Sequence, residues 1–142
     1  MAEISLRRAR SIIRATLAEG RRLELKPLAV VVLDKGGHVI AAEREDGASP
    51  GRFEIAQGKA FGAVMTGMPG SAQLARAEQQ AFFMDALNGL YGGKVVPVPG
   101  GILIKSAKGE TLGAIGVTGD TSDNDALAGT AGIESAGLTA LA

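Results

Sequence analysis

The sequence predicts an α+β fold in which an antiparallel sheet of four to five strands is flanked by helices. Three observations carry this expectation. Two apolar runs return on themselves through turn-forming residues, at Asp34–Gly37 and at Ala107–Glu110, which are hairpin signals. Stretches with helical spacing stand before, between and after these hairpins rather than alternating with single strands, so a parallel βαβ sheet is not expected. With 142 residues, 46% of them hydrophobic and 21% charged, the chain is expected to form one folded domain, 1–142, and not a disordered one.

Taken in order, Leu6, Ala9, Ile13 and Leu17 recur at spacings of three and four, predicting a helix over 5–19 with Ser5 as its cap and Gly20 as its end. Pro27–Leu33 is short, β-branched and apolar throughout, as expected of a strand covered on both faces. His38–Arg44 returns as its hairpin partner. Ser49-Pro50 reads as a helix cap and first position, and the helix continues to about Thr66. Gly58 and Gly62 each cost it about 1 kcal/mol against alanine. They make sense if another backbone or a ligand lies on that face. Ser71–Leu87 holds one or two shorter helices. The two prolines of Lys94–Gly101 make it an edge strand or a loop. Ile102–Ser106 and Leu112–Thr118 form the second hairpin, and a last helix starts at Thr121, with Gly129, Gly132 and Gly137 expected to fray it.

Composition excludes several functions. There is no cysteine, hence no disulfide, thiolate metal site or cysteine nucleophile. Lysine plus arginine balances aspartate plus glutamate at 15 each, and no basic face with interleaved aromatics occurs, so no nucleic-acid partner is expected. No apolar run reaches the length of a membrane span and no signal-peptide core is visible, so the expected location is the cytoplasm. Charge is nonetheless uneven. Residues 1–26 carry seven basic and three acidic side chains, and those after Lys108 carry five acidic and no basic ones. These ends either pair, within or between subunits, or form solvated helix faces.

Four groups of residues are candidates for chemistry. Gly113, Gly116 and Gly119 recur every third position in a strand. Without side chains they either leave room for a ligand or let a helix pack closely. Arg52, in a helix's first turn, and Lys59, seven residues on, fall on nearly one face and suit a carboxylate, or else serve salt bridges. Asp120 precedes a helix whose Ser122 and Asp125 match a capping pattern, which leaves Asp120 as a candidate proton carrier. His38, the only histidine, and Tyr91, the only tyrosine, are candidate iron ligands, with His38 also a candidate acid–base group. A lone histidine makes a zinc hydrolase improbable.

Four segments in sequence carry a family resemblance. Val-Val-Leu-Asp-Lys-Gly-Gly-His-Val-Ile-Ala, Ile55-Ala-Gln-Gly-Lys-Ala60, Gly92-Gly-Lys-Val-Val-Pro-Val-Pro-Gly-Gly-Ile-Leu-Ile104 and Gly113-Ala-Ile-Gly-Val-Thr-Gly-Asp-Thr-Ser-Asp-Asn-Asp125 resemble the signatures of the GlcG/HbpS heme-binding family. The same module is similar to the C-terminal domain of PduO-type proteins. The resemblance implies an antiparallel sheet flanked by helices, profilin- or PAS-like, and assembly into homo-oligomers. It also implies heme as cofactor for some members, with heme degradation proposed for the group.

Two functions follow as expectations. The first is a small-molecule-binding protein for heme or a similar flat, anionic molecule. The glycine-lined strand would receive the ring, Arg52 and Lys59 would meet its carboxylates, and His38 or Tyr91 would take the iron. The alternative is a small cofactor-free lyase, isomerase or hydrolase acting on an organic acid, with Arg52 as anchor and Asp120 or His38 moving a proton. A third reading is an accessory subunit that docks a partner through Phe82-Phe83-Met84.

Overall fold

The computed structural model describes residues 3–142, so the first two positions of the expected domain lie outside it. Ten elements follow one another: α1 (Leu6–Arg22), β1 (Ala29–Asp34), β2 (Val39–Arg44), α2 (Arg52–Thr66), α3 (Gly70–Gln79), α4 (Ala81–Leu90), β3 (Gly101–Lys105), β4 (Thr111–Thr118), α5 (Ser122–Ser135) and β5 (Thr139–Leu141). The strands form one antiparallel sheet in the order β2-β1-β4-β3-β5. The fold is α+β, as the hairpin signals require.

β1 and β4 lie at the centre, and their continuous apolar runs are explained by cover on both faces. One face turns Val30, Val32, Ile102, Ile104, Ile115 and Val117 toward α1 and α5. The other turns Val31, Leu33, Leu103 and Ala114 toward α2. Alternation along each strand therefore splits the core into two layers.

Small residues set the closeness of α2. Gly116 pairs with Val31 on one side and Gly101 on the other. A Cβ at Gly116 would fall on the carbonyl of Ala56, and one at Gly101 on the carbonyl of Lys59. The helix answers with Ala56, Ala60 and Ala63, all fully buried. Backbone thus approaches backbone, which only glycine permits.

Several boundaries differ from the sequence reading, each for a packing reason. Gly20 does not end α1. It lies inside the helix, where an added Cβ would come 2.7 Å from Leu28 Cδ1, and α1 runs on to Arg22. Ser5 does cap it, its side chain accepting the N–H of Arg8 at 3.1 Å. Gly51, rather than Ser49, occupies the cap position of α2, without a side-chain bond. Thr121, not Ser122, caps α5 by accepting the N–H of Asn124 at 3.2 Å. Gly129 and Gly132 do not fray α5. A Cβ at Gly129 would come 2.6 Å from Ile102 Cδ1, and one at Gly132 would strike the Thr16 hydroxyl of α1. They are the contact points of α5 with the sheet and with α1. Lys94–Gly100 is a loop, and Thr139–Leu141, which carries no strand signal of its own, pairs on the sheet edge as β5. The basic α1 and the acidic C-terminal segment do pack, but through Arg8 Nη2 donating to the Ala136 carbonyl at 2.8 Å rather than through opposed side-chain charges.

Candidate functional site

The hollow expected along β4 is filled. Besides Gly116 under α2, a Cβ at Gly113 would fall on the carbonyl of Leu33, and one at Gly119 on that of Pro27. Gly119 also has φ of 143°, a backbone shape that other residues rarely adopt. All three glycines admit neighbouring backbone and none opens a cavity.

Lys59 is likewise enclosed. It lies on the sheet side of α2, 2% exposed, and its Nζ donates to the Val117 carbonyl at 2.9 Å and to Asp125 Oδ2 at 3.0 Å. Asp125 is 1% exposed and accepts the Asp120 N–H on its other oxygen at 2.9 Å. Burial pushes the Lys59 ammonium below its ordinary value and the Asp125 carboxyl above its own, while attraction within the pair opposes both shifts. This buried ion pair ties α2 to α5 across the end of β4. Arg52, partly buried, donates from Nη1 to Thr118 Oγ1 at 2.8 Å, and so is also turned toward β4.

Asp120 does not resemble a base. Its Oδ1 accepts the Lys26 N–H at 2.9 Å, and its Oδ2 accepts from Thr121 N and Asn124 Nδ2, each at 2.8 Å. These donors, Lys26 first, lower its pKa to about 2. A carboxylate so stabilised takes up protons poorly at neutral pH. Its evident work is to join the start of β1's approach to the cap of α5.

His38 begins the return from the β1–β2 turn, with 82% of its side chain exposed. Its Nδ1 lies 3.3 Å from Asp34 Oδ1, an oxygen that also accepts the N–H groups of His38 and Gly36 at 2.9 Å each. Those donors, the His38 N–H foremost, hold the Asp34 carboxyl below its ordinary range. His38 lines a shallow hollow with Asp34, Lys35, Gly36, Ile40 and Ile4. No cluster of three or more histidine, aspartate or glutamate side chains is placed to hold a metal ion among the described residues.

An open cleft lies elsewhere, on the outer side of α2. It measures about 430 Å³, within the usual range for small-ligand sites, and is lined by Glu54, Ile55, Gly58, Phe61, Lys94, Val96 and their neighbours Gly37, Gln57 and Gly93. Glu54, Gly58 and Phe61 stand four and three residues apart and form one stripe of α2. Opposite them runs the Gly93–Val96 backbone, pinned by three bonds. Gly93 N donates to the Asn88 carbonyl at 2.7 Å, Val95 N to Asn88 Oδ1 at 2.9 Å, and Val96 N to the Gly58 carbonyl at 3.2 Å. Gly58 is needed for that approach, since a Cβ there would come 2.6 Å from Val96 Cγ2 and 2.9 Å from the Lys94 carbonyl. The expectation that backbone lies on the glycine face of this helix is met. Tyr91, which does not itself line the cleft, meets the Phe61 ring edge-on, centroids 6.0 Å apart, and the Lys94 ammonium sits 5.7 Å from the Phe61 centroid.

Comparison with known proteins decides the family. A sequence profile described as "Haem degrading protein HbpS-like" matches residues 4–134. The chain belongs to the HbpS-like family. The solved structure of HbpS is 28% identical, covers 94% of this chain and 89% of its own, and superposes with a TM-score of 0.81. A double mutant of Streptomyces reticuli HbpS gives 28% identity, 94% and 86% coverage, and a TM-score of 0.79. PduOC, solved as a heme complex, is 22% identical over 93% of this chain and 94% of its own, with a TM-score of 0.82, and shares the fold. No curated protein sequence matches the chain.

Within this HbpS-like chain three of the residues singled out from sequence, Arg52, Lys59 and Asp120, gather at the end of β4, through Thr118, Val117 and Asp125, and the others lie apart from them. Arg52 and Lys59 face β4, Asp120 lies at the start of α5, and His38 is in a separate hollow. None of them lines the cleft, and Tyr91 reaches it only through its contact with Phe61. The sequence reading missed Phe61, Lys94 and Val96, and it explained Asp125 as a helix-capping acid when its partner is Lys59. The usable signals were Gly58, misplaced in a helix, and the double glycine before Lys94. Among the described residues no helix is long and apolar enough to cross a membrane.

Proposed function

We propose that the protein binds heme or a similar flat, anionic organic molecule in the cleft between α2 and the Gly93–Val96 segment. The observation that carries this reading is the cleft itself, about 430 Å³, with an aromatic face at Phe61, aliphatic walls at Ile55 and Val96, and one ammonium at Lys94. A flat ring gains by covering Phe61 and the aliphatic side chains, and an acid group gains at Lys94. The family's description and the heme complex of PduOC favour heme within this class.

The cleft suits the group by its aromatic and aliphatic walls and by the ammonium of Lys94. Of the two candidate iron ligands, Tyr91 touches Phe61, a residue of the cleft, from outside the lining, while His38 lines the separate hollow with Asp34 and Gly36. The reading therefore gives the iron to Tyr91, a known kind of axial group. Bound heme would supply a redox-active iron. The chain's own residues cover the ring with Phe61 and Val96, hold an acid arm with Lys94, and exclude water from one face.

Titration of hemin into the purified protein tests this. A Soret band distinct from free hemin is expected, weakened about ten-fold or more in affinity by Phe61→Ala, the equivalent of roughly 1.4 kcal/mol. Tyr91→Phe is expected to alter the visible spectrum and His38→Ala to leave it alone. A wild-type spectrum equal to that of free hemin, or binding indifferent to Phe61→Ala, would remove the reading. Decay of the same band on adding ascorbate in air reads heme degradation. The organic-acid enzyme would have to move its proton with His38, since three donors hold Asp120 ionised.

The proposed setting is the cytoplasm, as a homo-oligomer. Phe82 and Leu90 on α4, each 73% exposed, support self-association. Light scattering that finds only monomer would remove that part.

A further inference from the structure

The stripe of α2 that lines the cleft is electrically polarised. Glu54 stands at one end, seven residues or about 10 Å along the helix from Phe61. Lys94 stands at the other, its ammonium over the Phe61 ring. The backbone on both sides of Lys94 is fixed by the bonds to Asn88 and Gly58, so only the lysine side chain is free to move. Lys94 is exposed, and its contact with Phe61 is of the weak surface kind, worth roughly two- to five-fold in an equilibrium.

A flat ring stacking on Phe61 needs the space the ammonium holds. We infer that Lys94 is a displaceable gate that selects for acid groups: an incoming ring lifts its ammonium from Phe61, and a carboxylate on that ring recaptures it. A neutral ring must displace the same contact and gets no replacement for it. Glu54 repels a carboxylate at the far end, so the ligand lies with its acid edge toward Lys94. Lys94 and Glu54 are thus specificity-determining residues. This rests on the cleft reading above and adds to it a sign and an orientation.

The test uses metal-free protoporphyrin IX, a diacid, and its dimethyl ester, so that no iron ligand contributes. Fluorescence titration of the wild-type protein is expected to favour the diacid by about five-fold at low salt, with the preference falling in 1 M salt. Lys94→Met is expected to remove the preference chiefly by strengthening the diester, which then has no contact to displace, Lys94→Arg to retain it, and Glu54→Gln to strengthen diacid binding. Both side chains are at the surface, and unchanged circular dichroism verifies that folding is intact. If both porphyrins bind and Lys94→Met leaves their ratio unchanged, the gate is overturned while the cleft stands. If neither binds the wild-type protein, the cleft reading and the gate fall together.

Discussion

Lys59→Met is the most informative single change in the core. The substitution keeps a long side chain, so little cavity forms, but it removes both bonds of Nζ, to Val117 O at 2.9 Å and to Asp125 Oδ2 at 3.0 Å. With the side chains of Lys59 and Asp125 only 3% and 1% exposed, water cannot take over. An uncompensated buried charge costs about 3–5 kcal/mol. Domains of this size are stable by about 5–15 kcal/mol, so the loss is a large fraction of the whole. At roughly 3 °C per kcal/mol, Tm should fall by about 9–15 °C. Asp125→Asn should cost a comparable amount by stranding the ammonium. The double variant should be less damaged than the sum, by about 2 kcal/mol or more, because neither charge is then left alone. Urea unfolding of the four proteins, followed by circular dichroism, measures this. Additive losses, or a loss below about 1 kcal/mol for Lys59→Met, would refute the reasoning.

The same variant has a pH signature. Burial already raises the Asp125 pKa above its ordinary 3.8, and without Lys59 the opposing attraction is gone. The native state then binds this proton more tightly than the unfolded state, so stability falls as pH rises from about 3.8 through the raised value. The deficit of Lys59→Met against wild type should therefore shrink as pH is lowered from 7 toward 4. A deficit that grows over that range contradicts a buried, stranded carboxylate.

Two other outcomes follow from the close contacts. Gly116→Ala must force α2 off the sheet, since its Cβ meets the Ala56 carbonyl. A loss of about 3 kcal/mol or more in urea unfolding is expected, and a loss under 1 would mean that α2 can shift freely. The Asp120 carboxyl should titrate near the value of about 2 set by its three donors, followed by NMR of its side-chain carbon. A midpoint near the ordinary ~3.9 would show those bonds to be absent in solution.

Much of the architecture was legible locally. The period of Leu6–Leu17, the Ser5 cap, the doubly covered run at Ala29–Leu33 and the Asp34–Gly37 turn depend on residues near one another in sequence. Such features are fixed by backbone preference and by the alternation of side chains, which a single segment already contains. The family signatures extended this to the whole fold. Even so, Gly20, Gly129 and Gly132 read locally as helix ends or weak points, and became contacts only when Leu28, Ile102 and Thr16 arrived from elsewhere.

The site belonged to tertiary structure. A missing side chain in a strand means either space or close approach, and the sequence around Gly113, Gly116 and Gly119 is the same in both cases. The arrival of the Ala56, Leu33 and Pro27 carbonyls decided it. Lys59 could have faced a ligand or a buried acid, and Asp125, sixty-six residues away, settled which. The cleft joins Gly37, the outer stripe of α2 and the Gly93–Val96 segment, three pieces that nothing in their local patterns assigns to one another. Local sequence sets which conformations a segment prefers; which emptiness stays empty depends on atoms brought in from distant positions by the packing of the whole chain.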